Sequence, residues 1–271
     1  MKQKLKVGIV GCGAIGSYLA KNIQEKLSKE ISLVGICDIN TQAAKRLQKI
    51  LPKKTAVYTT STIIRKSDLI IEATSVSACQ SLLIKVISAG KDILVMSVGA
   101  LLKNAKLIEK AKRKGINIYV PSGALAGIDA LKAAQLGTIK EVHLTTKKPA
   151  KSLASAPYIK KNRIDLSKIC NDKLLFRGNA MDAVDNFPQN INVAATLSLA
   201  TIGPAKTKVK IFASPHIKAN IHEIMVDADC GRIITRTENL ASKANPKTSY
   251  LAMLSALATL KGILNPIKIG T

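Results

Sequence analysis

Short apolar runs at residues 5–10, 31–37, 69–73, 92–97 and 116–120 alternate with stretches whose apolar residues recur at helical spacing. Those stretches are 17–28, 41–50, 62–66, 79–89 and 101–114, with a further short β-rich run at 56–59. Near-continuous apolar strands are what a parallel sheet covered on both faces requires, and strand–helix alternation predicts βαβ units. The period changes after Pro121-Ser122-Gly123. From there apolar and polar residues alternate at 141–145, 208–212, 220–228 and 232–236, as antiparallel strands with one exposed face do. An apolar helix is expected at 190–200, and another at 249–264, with Pro246 placed to start it. The fold class is therefore α/β: a doubly wound parallel sheet with a second α+β domain holding a mostly antiparallel sheet. Residues 1–121 with 245–271 are expected to form the first domain and 122–244 the second.

Composition narrows the picture. Apolar residues make up 47% of 271 positions, enough for a sizeable core, but aromatics are only 3% and tryptophan is absent, so that core is aliphatic. The formal charge of +25 raises the question of nucleic acid. The lysines are scattered, however, and few aromatics are available to stack on bases, so no specific nucleic-acid partner is expected. A positive field of this kind attracts small anions such as phosphates and dicarboxylates. Cys12, Cys37, Cys79, Cys170 and Cys230 form no C-x-x-C pair and fall into no zinc spacing with His143, His216 and His222. Reduced thiols, no metal, no signal-peptide pattern and no membrane-spanning run together predict a cytoplasmic protein.

The first run leads straight into Gly11-Cys12-Gly13-Ala14-Ile15-Gly16, and a helix follows. In a strand–turn–helix context this G-x-G-x-x-G is the fingerprint of a Rossmann dinucleotide site. Gly11 makes the turn, Gly13 admits the pyrophosphate, and Gly16 lets helix and strand pack closely. Free N–H groups of Ala14, Ile15 and their neighbours would meet the phosphates. Asp38 ends the second strand about 22 positions past Gly16, where an acidic residue accepts the ribose hydroxyls of NAD. Lys45 or Arg46 would instead suit the extra phosphate of NADP, so both cofactors stay open. Ala73-Thr74-Ser75 ends the third long strand with small residues over which the nicotinamide ribose could pass, and Ser97-Val98-Gly99 does so on the next.

The second half carries a resemblance. Pro121-Ser122-Gly123-Ala124-Leu125-Ala126-Gly127-Ile128-Asp129-Ala130-Leu131, Phe187-Pro188-Gln189-Asn190-Ile191-Asn192-Val193-Ala194-Ala195-Thr196-Leu197, Asn220-Ile221-His222-Glu223-Ile224 and Asn245-Pro246-Lys247-Thr248-Ser249 are similar, in that order, to blocks of the L-aspartate dehydrogenases. With the fingerprint they span essentially the whole chain. The resemblance implies oxidation of L-aspartate by NAD or NADP to iminoaspartate, which hydrolyses to oxaloacetate and ammonia or passes to quinolinate synthase in NAD biosynthesis. It also implies a homodimer without metal. The family's catalytic histidine falls on His222, and its nicotinamide-contacting alanine and asparagine on Ala126 and Asn192, with Ala124 and Asn190 as second choices. The lysine-rich region 147–172 departs from the pattern and leaves the carboxylate-binding residues open.

Chemistry supports the same focus. A hydride leaves the α-carbon of an amino acid only when the amine is neutral, so the site needs a base, and histidine has a suitable pKa. His216, after Ser214-Pro215, reads as a loop residue and His143 as a structural one. Arg177, Arg232 and Arg236 are the arginines available in the second domain to hold the substrate carboxylates. Read from residues alone, the same architecture also serves reductases of the dihydrodipicolinate or homoserine type, and NAD-binding sensors without catalysis.

Overall fold

The computed structural model describes residues 3–188, 191–242 and 245–270. The chain divides into two compact units, residues 1–121 with 256–266, and residues 122–255 with 267–271. The return to the first unit thus begins at 256, where the sequence placed it at 245. The segment before it is tied by backbone pairing to the chain just upstream, as the terminal strands below show.

In the first unit the order is β1 (Leu5–Val10), α1 (Ala14–Lys26), β2 (Ile31–Cys37), α2 (Thr41–Ile50), α3 (Thr60–Lys66), β3 (Leu69–Glu72), α4 (Val76–Ser88), β4 (Asp92–Val95), α5 (Gly99–Leu102), α6 (Ala105–Arg113) and β5 (Ile118–Tyr119). The strands form one parallel sheet in the order β2-β1-β3-β4-β5. Strand order reverses beside β1, the place where a doubly wound sheet opens a crevice for ligands. Val7, Ile9, Leu69, Ile71 and Leu94 are buried with Leu19 and Ile23 of α1 and with Ala256 and Leu260 from the returning segment. The run at 56–59 makes only an isolated bridge, Val57 to Ile36. The helix expected at 101–114 is two helices, because Asn104 leaves helical backbone geometry and starts a new turn whose N–H groups at Leu107 and Ile108 point to its carbonyl.

The second unit contains α7 (Ile128–Ala134), β6 (Ile139–Pro149), α8 (Pro157–Lys161), β7 (Lys173–Asn179), α9 (Ala180–Asn186), α10 (Asn192–Leu199), β8 (Thr207–Ser214), β9 (Asn220–Ala228), β10 (Gly231–Asn239), β11 (Ala241–Ser242) and β12 (Asn245–Ser249), and α11 (Tyr250–Leu264) leads out of it. Its main sheet runs β10-β9-β6-β8-β7. All pairs are antiparallel except β6 with β8, which is parallel. Strand β6 continues to Pro149, well past the expected end at 145. This extension matters for the site. Pro246 lies in β12, not at a helix start; β11 and β12 form a two-stranded sheet with only edges, where proline's missing N–H is tolerated. Among the described residues no helix is long and apolar enough to cross a membrane.

Candidate active site

The glycine turn sits at the carboxyl end of β1, and each glycine is there for a different reason. Gly11 has φ +103°, and a Cβ on it would strike the carbonyl of Ala73. A Cβ on Gly16 would strike the carbonyl of Gly11, so only glycine lets α1 pack this close to the turn. At Gly13 a Cβ would meet nothing within 4 Å. The space it leaves faces the start of α1, whose N-cap is Gly13 itself, without a side-chain cap and without an acidic residue in the first turn. First-turn N–H groups have no acceptor within their own helix, and with the helix dipole they favour an anion. The residues present fit a dinucleotide pyrophosphate.

Asp38, just past β2, accepts the N–H of Cys12 on Oδ2 at 2.7 Å and that of Asn40 on Oδ1 at 2.8 Å. These bonds fix the carboxylate beside the turn and leave further lone pairs for ribose hydroxyls. The Ala73 N–H donates to Val10. Gly11, Gly13, Ala14, Ile15, Gly16, Asp38, Ala73 and Thr74 are thus gathered along the carboxyl ends of β1, β2 and β3. Arg46 lines a shallow groove with Cys12, Ser17 and Ala43.

Sequence reasoning passed over Glu72. It ends β3, is fully buried, and carries five hydrogen bonds. Oε1 accepts from the Thr74 N–H (2.7 Å), the Thr74 hydroxyl (2.7 Å) and the Ser97 hydroxyl (2.9 Å). Oε2 accepts from the N–H groups of Met96 (3.1 Å) and Ser97 (2.8 Å). One carboxylate therefore ties together the loops after β3 and β4, both singled out for the nicotinamide end of the cofactor. A glutamate inside an otherwise apolar parallel strand was the available signal. Burial, then the nearby Glu72 charge, pushes the Cys79 thiol well up, so it stays protonated.

In the second unit, strand alternation sorts the charged groups by face. Val142, Leu144, Thr146 and Lys148 of β6 are buried, as are His222, Ile224 and Val226 of β9. Thr146 pairs in register with His222, and its hydroxyl lies 3.1 Å from His222 Nδ1. If Nδ1 donates to Thr146, Nε2 is left as the acceptor a base needs. His222 is 3% exposed, and its pKa is lowered to about 3, first by burial and then by the positive charge of Lys148. It is neutral across the working range. Lys148 is buried too, and burial pushes its pKa down to about 8. Carried one position past the Lys147–Ile221 pair, the register brings it level with Asn220, which is also buried.

Thr237 of β10 lies opposite His222, and its hydroxyl donates to the carbonyl of Ala124 at 2.8 Å. Asn239 donates to the same carbonyl at 3.1 Å, and Thr235 to that of Ala126 at 3.3 Å. The segment around Ala124 and Ala126 is therefore pinned beside the histidine. Asn192 opens α10, half-buried. Asn190 lies outside the described residues.

The expected arginines do not join this cluster. Arg236 is exposed and paired with Glu223 and Glu238; Arg232 is paired with Asp227 at 2.5 Å. Both project from the other face of the sheet. Arg177 lines a cleft there with His143, Thr145, Lys208 and Lys210. His143 bonds Glu141 at 2.8 Å, and His216 bonds the Cys170 carbonyl at 2.8 Å, so neither approaches His222. Among the buried residues of these strands, His222 and Lys148 are the titratable ones.

Comparison with known proteins gives this arrangement a family. Residues 129–263 match the family described as aspartate dehydrogenase, C-terminal, and residues 11–121 match the homoserine dehydrogenase NAD-binding domain. The L-aspartate dehydrogenase of Methanosarcina acetivorans is 44% identical over 98% of this chain and 100% of its own length. That of Methanococcoides burtonii is 43% identical over the same shares. The crystal structure of aspartate dehydrogenase from Thermotoga maritima superposes with a TM-score of 0.75 at 24% identity, covering 99% of this chain and 100% of that one, and so shares its fold. With a nucleotide-type glycine turn in one unit, a buried histidine in the other and relatives of this identity along its full length, the chain belongs to the aspartate dehydrogenase family.

Proposed function

We propose that this protein oxidises L-aspartate to iminoaspartate with NAD or NADP. The substrate loses a hydride from its α-carbon and a proton from its nitrogen, and a C=N bond forms. Water then adds to that bond, and the resulting carbinolamine expels ammonia to give oxaloacetate. NAD or NADP, when bound, supplies the hydride acceptor. Gly11, Gly13, Ala14, Ile15, Gly16 and Asp38 would hold its pyrophosphate and ribose, and Ala73 and Thr74 its nicotinamide side, with Ala126 and Asn192 contacting the ring.

The observation that carries the reading is the buried His222, held by Thr146 and kept neutral by its surroundings. A neutral imidazole can take the proton that the substrate nitrogen must shed, and later polarise the water that attacks the imine. Lys148 and burial both oppose its protonation in the free enzyme. The first unit is read as the dinucleotide-binding domain and the second as the substrate and dimerisation domain. The enzyme is further read as a cytoplasmic homodimer that can hand iminoaspartate to quinolinate synthase; its unbonded cysteines suit a reducing compartment.

The test is cofactor reduction at alkaline pH, where the substrate amine is free, with L-aspartate, glutamate, alanine and homoserine. Turnover confined to L-aspartate is expected. Reduction with homoserine in place of aspartate would overturn the reading in favour of a homoserine-type enzyme.

A further inference from the structure

We propose that Lys148 is the cationic anchor for one carboxylate of the substrate, beside His222 on the inward face of the second sheet. The proposal rests on reading this chain as acting on an amino dicarboxylate. Its first support is selection. The sequence holds 42 lysines and arginines, and Lys148 is the only one buried among the described residues. Long cationic side chains are seldom buried unless an interior partner or a ligand pairs with them. Here that residue lies at the end of the strand that also supplies the histidine's partner, Thr146.

The second support comes from where the other charges point. Arg177, Arg232 and Arg236 lie on the opposite face. A buried ammonium gains most from a ligand that brings its own negative charge.

The third support is coupling. Lys148 is the charge that helps keep His222 unprotonated. A substrate carboxylate seated on the ammonium offsets that charge. His222 then becomes a better proton acceptor at the moment substrate arrives, and stays a poor one without it. Anchoring and base activation follow from one contact, and neither requires an arginine.

The experiment, run near pH 7 where Lys148 holds its proton, compares wild type, K148M and K148A in aspartate oxidation, and measures succinate binding to the NADH-loaded proteins by calorimetry. Loss of an interior charge contact typically costs about 10²-fold in affinity. K148M is therefore expected to raise the KM for aspartate and the Kd for succinate by about that factor, with NADH affinity unchanged. In K148A, propylammonium should restore succinate binding and propanol should not. Unchanged succinate affinity in K148M, or equal rescue by the amine and the alcohol, would overturn the proposal and leave a space-filling side chain. A lost kcat at unchanged KM would overturn it in favour of a proton-transfer role. If K148M does not fold, the K148A rescue decides alone. If wild type oxidises no aspartate, the functional reading fails by itself, while succinate binding still judges Lys148.

Discussion

The two units build their sites by opposite means. The first shapes its site with backbone: a turn of consecutive residues in which glycines make room and a helix start supplies N–H groups. The second shapes its site with side chains from positions far apart in sequence, Thr146, Lys148, His222 and Thr237, brought together by strand register. Their buried charges differ in the same way. Glu72 is saturated by five hydrogen bonds from its own unit and is a structural knot. His222 and Lys148 have their proton affinities lowered by burial, the condition of groups set for chemistry rather than for stability.

Substitutions in the glycine turn should break this comparison most sharply. Gly16→Val drives a side chain into the Gly11 carbonyl, and a loss of about 4 kcal/mol or more is expected, enough to unfold the first unit in a denaturant titration. Gly13→Val, three residues away, enters open space. It should leave the unfolding midpoint nearly unchanged and abolish cofactor binding measured by NADH fluorescence. Equal destabilisation by the two would refute the separate roles given to these glycines.

In the second unit the expected loss is catalytic. His222→Ala should lower kcat by about 10²–10⁴-fold with cofactor affinity intact. A fall in NADH affinity of the same size would instead make the residue structural.

Glu72→Gln sharpens the contrast from the other side. An amide cannot accept from all five donors, and its NH2 must face some of them. Stability should drop by about 3 kcal/mol in thermal unfolding. No loss would mean that the loops after β3 and β4 are held by something else.

Acid should reveal the histidine. Its pKa is about 3 in the fold and 6.5 when free, so between those values the unfolded chain binds the extra proton. Stability then falls as pH drops below 6.5, by about 1.4 kcal/mol per unit, and is insensitive to this group above it. His222→Asn should remove that slope from a pH series of urea titrations. The smallest effect belongs to the exposed pair Arg232–Asp227: Arg232→Ala should leave both the unfolding midpoint and turnover nearly unchanged.

What could be read without a structure follows the same division. The glycine turn, Asp38 and the alternation of β1 to β5 with helices are local patterns, and local patterns are visible in a linear text. His222 was found through resemblance, since a lone histidine on a strand carries little signal of its own. Lys148 was hidden because β6 was ended at 145; carrying the inward series Val142, Leu144, Thr146 one step further places Lys148 on the buried face. The parallel pairing of β6 with β8 joins segments 65 residues apart, and nothing local announces it. Arg232 and Arg236 looked suited to carboxylates by chemistry alone, but their strand parity turns them to the outside, where Asp227, Glu223 and Glu238 already hold them.

The most direct test of the account uses L-aspartate carrying deuterium at its α-carbon, oxidised with NAD or NADP by the wild-type protein. The account predicts reduced nicotinamide that has gained that deuterium, with one oxaloacetate and one ammonia formed per turnover. Cofactor that binds tightly yet acquires no deuterium from aspartate, under conditions where the protein is folded, would contradict it.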